Sequence, residues 1–263
     1  MRVPELSYFF PAHNEEANLP GLVAEALEAL PALAEQFEIV IVDDGSSDAT
    51  PRMADELAAA HPEVRAVHHA TNLGYGAALR TGFAASRFGL LGFTDGDRQF
   101  RVADLGPLLE RLGATAAAGP RADAVAGFRI HRADPLVRTV YARLYRLANR
   151  IFFGLRVRDV DCACKVFRRD ALEGIAVESG GAFFSAELLI KLHAAGRRIA
   201  EVGVPHYPRT AGSPTGAKPS VILRAVRDFW SLRLRLWADP SRALRRGSPI
   251  LGDQPPRTPE AAS

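Results

Sequence analysis

The chain has 263 residues, 48% of them hydrophobic, which suits one large soluble α/β domain or two small ones and needs no disulfide or metal staple to hold a core. With 33 basic and 30 acidic side chains the formal charge is +3, too small for a general nucleic-acid partner. Cys162 and Cys164 are one residue apart, too close for an ordinary disulfide and without the paired spacing of a zinc site, so a reducing compartment is expected.

The amino-terminal residues lack the basic start and the sustained apolar run of a signal peptide. No stretch reaches the roughly eighteen uncharged apolar residues that a membrane-spanning helix needs. The expected location is cytoplasmic, with peripheral attachment at the inner membrane face as a variant.

Strand-like and helix-like segments alternate through the first half, which predicts a mostly parallel sheet with helices on both faces. Leu6 to Phe10 reads as the first strand, followed by a helix starting at Asn14-Glu15-Glu16 and running to about Leu33. Phe37 to Val42 is a second buried strand that stops at Asp43-Asp44-Gly45-Ser46-Ser47-Asp48, a run of turn and capping residues. A helix from about Ala49 to Ala60, a strand Val64 to His68, a helix Gly76 to Arg87 and a strand Leu90 to Thr94 follow.

Farther on, Asp104 to Leu112 reads as a helix, Ala124 to Phe128 as a strand and Leu136 to Phe153 as a long arginine-bearing helix. Gly180 to Arg197 holds a helix and Ile199 to Val204 a last strand. Residues 1–218 are therefore expected to form the main domain, 219–246 a basic amphipathic helix and 247–263 a Pro-rich disordered tail. Ligands of open α/β sheets bind outside the carboxyl ends of the strands, and three such ends here run into polar, glycine-containing loops that should share one crevice.

The strand ending at Thr94 delivers Asp95-Gly96-Asp97-Arg98-Gln99. Two hard carboxylates held close by a glycine turn suit Mg²⁺ or Mn²⁺, and such a cation can neutralise a diphosphate. Alone, this spacing is more often a solvated turn after a strand. It is accompanied, in order, by Pro11-Ala12-His13-Asn14-Glu15-Glu16, by Asp43 to Asp48 and by Asn72-Leu73-Gly74-Tyr75-Gly76, each at a strand end or helix start.

With these four motifs the chain resembles the family 2 inverting glycosyltransferases of the GT-A fold from about Leu6 to Arg209. The resemblance implies a metal-dependent transferase using a nucleoside diphosphate sugar of the GDP-mannose or UDP-glucose type. It implies that Pro11, Asn14 and Glu15 line the nucleotide pocket and that Asp43 meets the base or ribose. Ala12, Asp44, Gly74 and Gly96 join the donor-contacting positions, although turn formation and helix capping remain open for Asp44, Ser46 and Asp48. Asp95 would approach the ribose or metal, Asp97 the metal, and Gln99 would complete the cation's surroundings.

A looser likeness in the second half points to the dolichyl- and polyprenyl-phosphate mannose or glucose synthases. It rests on Gly127-Phe128-Arg129 with Arg132, on Asp159-Val160-Asp161-Cys162-Ala163-Cys164-Lys165 and on Val204-Pro205-His206 with Arg209. An anionic acceptor needs cations near the reacting carbon, and guanidinium forks pair well with phosphate. Arg129, Arg132, Arg138, Arg209 and Lys218 are thus the candidate acceptor-phosphate ligands. A hydroxyl acceptor would need a base, for which Asp161 and Glu187 are candidates, Glu187 being equally a first-turn helix acid; for an ionised phosphate they would instead orient arginines or sugar. Together with Asp97 and Arg129 they form the expected catalytic set.

No Gln-x-x-Arg-Trp motif of the processive polysaccharide synthases is present, which disfavours a chain-building enzyme. The helix from Ser220 to Trp237 mixes aromatic and aliphatic residues with arginines, the composition of a helix lying in an anionic membrane surface or packed on the core. The leading expectation is transfer of a hexose to a polyprenyl phosphate with inversion. A soluble transferase acting on a hydroxyl of a small molecule or glycan is the in-class rival. A nucleotidyltransferase is disfavoured by the acidic Pro11 to Glu16 segment, and a non-catalytic nucleotide-sugar-binding subunit by the intact Asp95, Asp97 and Gln99.

Overall fold

Strand β1 (Val3–Ala12) lies between β2 (Ala34–Asp43) and β4 (Leu90–Phe93), parallel to both, and β3 (Val64–His68) extends the same side beyond β2. These and the other elements belong to a computed structural model that describes residues 2–113, 121–130, 136–209 and 219–252. A central strand covered on both faces has no solvent side, which is why Leu6, Tyr8, Phe9 and Phe10 are all fully buried and the strand is not alternating in polarity.

The sheet continues past β4 through β6 (Lys165–Arg168), β5 (Ala124–Arg129) and β8 (Ile199–Val204), in the order β3-β2-β1-β4-β6-β5-β8. Only β6 runs against its neighbours, so the carboxyl ends of the other six strands and the amino end of β6 meet along one edge. That edge collects Asp43, Thr94, Arg129 and Lys165. Helices α1 (Leu19–Leu33), α2 (Thr50–Ala60), α3 (Tyr75–Ala85) and α4 (Leu105–Gly113, preceded by a 3-10 turn at Val102–Asp104) link the strands of the first half.

An aromatic stack fixes the middle of the sheet. Phe9 meets Phe83 of α3 at 4.8 Å and Phe93 of β4 at 5.4 Å, and Phe93 stacks on Phe167 of β6 at 6.3 Å. Such ring pairs add to the area they bury. They hold β4, and therefore the acidic turn behind it, in a rigid position.

Two boundaries differ from the sequence expectation. The first helix begins at Leu19, with Pro20 in its first turn, and Asn14 adopts φ 57°, so Asn14 to Glu16 form a turn instead of the first helical turn. The cause is visible in the next loop, whose Ser47 backbone N–H donates to Asn14 Oδ1 at 2.9 Å. The tail expected from residue 247 is also shortened: β9 (Ser248–Pro249) pairs antiparallel with β7 (Ala176–Val177), and Ile250 is fully buried.

The carboxyl-terminal half packs through α5 (Leu136–Phe153), the short α6 (Arg169–Leu172), α7 (Phe184–Ala194), α8 (Pro219–Ala238) and α9 (Pro240–Arg245). Phe229 of α8 is buried against Phe152 and Phe153 of α5 and against Phe183. The fully buried Lys191 ammonium donates to Ala176 O at 2.7 Å and Arg246 O at 2.9 Å and pairs with Glu187, which fastens the end of α9 to the domain. Of the two readings left open for this helix, packing on the core holds for the face that carries Phe229. Among the described residues no helix is long and apolar enough to cross a membrane.

Candidate active site

Three strand-end loops interlock before any ligand is considered. The backbone N–H groups of Asn14, Glu15 and Glu16 donate to Ser46 Oγ, Thr50 Oγ1 and Asp48 Oδ2, and Ala49 N–H donates to Glu16 at 2.8 Å. Asp44 Oδ1 accepts from His69 Nδ1 at 2.7 Å and Leu73 N–H at 2.9 Å, while Oδ2 accepts from Gly74 N–H at 2.9 Å. Both oxygens of Asp44 are therefore spent on shaping the loop at residues 69–74. Ser46 and Asp48 likewise serve the loops, as their turn and capping reading allowed.

Asp43 ends β2 with its carboxylate buried, accepting from Ser46 N–H at 3.0 Å and meeting His68 Nδ1 at 3.0 Å. Gly74 sits at φ 95°, and Gly76 N–H donates to Gly180 O at 3.1 Å. A Cβ on Gly76 would stand 2.8 Å from that residue's carbonyl carbon, so the backbone approach requires glycine. Pro11 and Ala12 pair with Val42 and Asp43 at the end of the β1–β2 ladder.

The acidic turn follows β4. Gly96 passes under β1, where a Cβ would stand 2.6 Å from Pro11 O. Tyr75 donates its hydroxyl to Asp95 Oδ1 at 2.9 Å. Burial and then the neighbouring charge of Asp97 push the Asp95 carboxyl up to about 6. Burial also raises Glu15, with Asp97 adding to the rise and Asn18 and Arg209 opposing it. Gln99 N–H donates to Asp97 Oδ1 at 3.1 Å, and the Gln99 side-chain amide donates to Tyr207 O at 3.3 Å. Arg209 donates to Asp97 Oδ2 at 2.6 Å and to Gln99 Oε1 at 3.5 Å.

Asp95, Asp97 and Gln99, expected together from spacing, are thus brought together, with Glu15 and Arg209 beside them. Their oxygens are hard donors; burial chiefly, and then the charge of Asp97, raise the Asp95 carboxyl, and a divalent cation would offset both. The residues fit Mg²⁺ or Mn²⁺. Among the described residues no three His, Cys, Asp or Glu side chains are grouped so as to hold a metal ion, so the fit rests on Asp95, Asp97 and the amide oxygen of Gln99.

The second half departs further from expectation. Arg129 ends β5, but its fork is taken: Nε and Nη2 donate to Asp159 Oδ2 and Oδ1 at 2.7 and 2.9 Å. Glu187, expected in the catalytic set, is buried and accepts from Glu178 and Ser179 N–H at 3.0 and 2.8 Å while pairing with Lys191. It shapes the loop that carries Gly180 toward Gly76. Asp161 is exposed, and its charge acts on Tyr75 and Lys165, which places it at the same edge as Asp95. Arg132, Lys218 and the side chain of Arg138 lie outside the described residues.

Four residues of the site were not singled out from sequence. Asp159 and Tyr75 stand inside quoted motifs, but nothing in a lone aspartate or tyrosine announces its partner. His69 clamps Asp44. Lys165 is buried, with its ammonium on Cys162 O and 5.6 Å from the Phe93 ring centre, and burial lowers its pKa.

A mostly parallel sheet with one reversed strand, and an acidic turn leaving its fourth strand among interlocked strand-end loops, are those of a glycosyltransferase of the GT-A type. The chain belongs to glycosyl transferase family 2, whose match covers residues 7–176. It is 33% identical over 211 residues to polyprenol monophosphomannose synthase of Mycolicibacterium smegmatis, covering 77% of each chain. It is 33% identical over 242 residues to glycosyltransferase AglD of Haloferax volcanii, covering 89% of this chain but only 37% of that protein. Undecaprenyl-phosphate mannosyltransferase of Micrococcus luteus is 30% identical, with 77% and 83% covered. In fold, glucosyl-3-phosphoglycerate synthase of Mycobacterium tuberculosis, solved with Mn²⁺ and UDP, superposes with a TM-score of 0.65 at 19% identity, over 87% of this chain and 79% of that one.

Proposed function

We propose that the chain transfers a hexosyl group from a nucleoside diphosphate sugar to a polyprenyl phosphate with inversion, using Mg²⁺ or Mn²⁺. The observation that carries the donor half is the convergence of Asp95, Asp97 and Gln99 on one turn beside Glu15 and Arg209, at the sheet edge where β1 and β2 end in Pro11, Ala12 and Asp43. The relatives that name polyprenol and undecaprenyl phosphate support the acceptor half.

In this reading Asp95, Asp97 and Gln99 hold the cation, which supplies charge neutralisation of the donor diphosphate. Asp43 and the loop at residues 72–76 position the nucleoside, and Asp44 and Glu187 keep those loops in shape. A phosphate monoester, with a second pKa near ~6, is already ionised at neutral pH, so its oxygen attacks the anomeric carbon as the bond to the diphosphate breaks and no general base is required. Asp161 then orients the sugar or a cation, and Arg209 faces the phosphates.

One observation favours the rival acceptor, a hydroxyl. Arg129, the strand-end cation offered to the lipid phosphate, is engaged by Asp159, which leaves the acceptor charge to Arg132, Arg138, Arg209 and Lys218. A donor panel of GDP-mannose, UDP-glucose and UDP-N-acetylglucosamine, with and without polyprenyl phosphate, decides between the two. A product carrying sugar-1-phosphate linkage to the lipid is expected by mass spectrometry; turnover only with hydroxyl acceptors overturns the lipid reading.

The membrane proposal rests on α5 and α8. Leu144, Leu147 and Ile151 on the first, and Leu223, Val226, Trp230, Leu234 and Trp237 on the second, are exposed at helical spacing, with Arg143, Arg146, Arg224 and Arg227 among them. A second copy of this face would bring like charges together, whereas an anionic lipid surface meets both the apolar and the basic residues.

A further inference from the structure

Arg209 spans two of the three oxygen-bearing side chains that the proposed function gives to the cation, donating to Asp97 Oδ2 at 2.6 Å and to Gln99 Oε1 at 3.5 Å. The pair is largely shielded, with Asp97 buried and Arg209 half-buried. Its geometry is held from both sides. Gln99 is tied to the segment before Arg209, because Tyr207 N–H donates to Gln99 O at 3.0 Å and Tyr207 O accepts from the Gln99 side-chain amide. Glu15 and Asp95 add negative charge around the same guanidinium, and both carboxyl groups feel it.

A guanidinium and a divalent cation compete for Asp97 Oδ2 and Gln99 Oε1, because two positive charges on the same oxygens repel each other at close range. Asp97 with no positive neighbour would leave a charge in a water-poor site, a cost that removal of one partner of a buried pair makes plain. Resting on the donor-site reading above, we propose that Arg209 is a built-in counter-ion that occupies the cation's oxygens in the ligand-free protein and exchanges onto the donor diphosphate when the metal and nucleotide arrive. Guanidinium is suited to both stations, carboxylate and phosphate, by the same planar fork.

The exchange makes metal and nucleotide bind cooperatively. A metal ion alone must displace Arg209 and leave it without its acceptor. A metal ion arriving with a diphosphate offers the guanidinium a new anion. The coupling belongs to Arg209 and not to the carboxylates, so it is removable without touching the metal's own ligands.

Calorimetric titration of the full chain with Mn²⁺, alone and in the presence of GDP or UDP, tests this. Arg209→Met is expected to bind Mn²⁺ alone about tenfold more tightly than the wild type, and to lose about tenfold of the enhancement that GDP or UDP gives to Mn²⁺ binding. Arg209→Lys, which keeps the charge but cannot span both oxygens, is expected to fall between them. A tighter grip on Mn²⁺ alone with an unchanged grip on Mn²⁺ beside nucleotide is not produced by a loss of folding. If wild type binds Mn²⁺ with GDP or UDP but Arg209→Met binds Mn²⁺ alone no more tightly, the exchange is overturned while the donor site stands. If wild type binds neither Mn²⁺ nor either nucleotide, the donor-site reading fails and the exchange with it.

Discussion

Arg129 and Asp159 form a two-pronged ion pair in which Asp159 Oδ2 also faces the Arg129 backbone N–H at 3.5 Å, with only 17% and 8% of the two side chains exposed. Burial alone would lower the arginine's pKa, yet the hydrogen bonds and charge of Asp159 leave it raised. Arg129→Ala is therefore expected to cost about 3–5 kcal/mol of stability, because it strands a buried carboxylate. Replacing both residues with apolar side chains of similar volume should recover most of that loss. Urea unfolding of the single and double variants measures it, and a single variant within ~1 kcal/mol of wild type would remove the pair from the list of structural supports.

Asp95 links function to pH with a definite sign. Its folded pKa of about 6 lies above the ordinary 3.8, so the ionised form is disfavoured by the fold and its cost is fully present above about pH 6 and absent below the unfolded value. Asp95→Asn should raise the melting temperature of the ligand-free protein at pH 8, with the gain shrinking toward pH 4. The same variant should lose Mn²⁺-dependent nucleotide binding. A melting temperature unchanged at pH 8 would show that Asp95 carries no such cost.

How much of this was legible in the sequence depends on the range of the interaction. The buried runs around Phe9, Ile41 and Leu91 and the polar loops after them mark a parallel sheet and its ligand edge, because strand burial and turn chemistry are local properties. Strand β6 is not legible in the sequence, because Lys165-Val166-Phe167-Arg168 is too short to show a period and begins with a buried ammonium. Long-range pairings were invisible: nothing near Asp97 announces Arg209, and nothing near Arg129 distinguishes a phosphate ligand from a partner of Asp159. Glu187 and Asp44 had the right chemistry for a site, but the backbone N–H groups that occupy them come from turns whose shape only the fold determines.

His68 stands between Asp43 and Asp55, at 3.0 and 3.2 Å. Burial pulls its pKa down, but the two carboxylates outweigh burial and hold it above 6.5. A histidine raised in this way stabilises the fold fully below the unfolded pKa and loses that contribution as pH rises through the folded one. The melting temperature of wild type should exceed that of His68→Gln by more at pH 6 than at pH 9. Equal differences at both pH values would mean that the imidazolium adds nothing to the Asp43 loop.

The two faces of α8 should separate in experiment. Phe229, 6% exposed, sits among Phe152, Phe153 and Phe183, while Leu223 and Trp237, at 73% and 77%, face outward. Phe229→Ala is expected to cost about 3–5 kcal/mol through the cavity it leaves. Leu223→Ser with Trp237→Ser should change stability by no more than ~0.5 kcal/mol, since neither side chain packs on the domain. Truncation before α8 is not equivalent, for it also removes Ile250 and the Arg246 carbonyl that holds the buried Lys191. Sedimentation with vesicles of phosphatidylglycerol and phosphatidylcholine reads the outward face: the double serine variant should lose most of its binding, and Arg224→Gln with Arg227→Gln should lose binding that salt also weakens in wild type. Vesicle binding unaffected by both pairs of substitutions would leave that face to another occupant and return access to a lipid acceptor to a different part of the molecule.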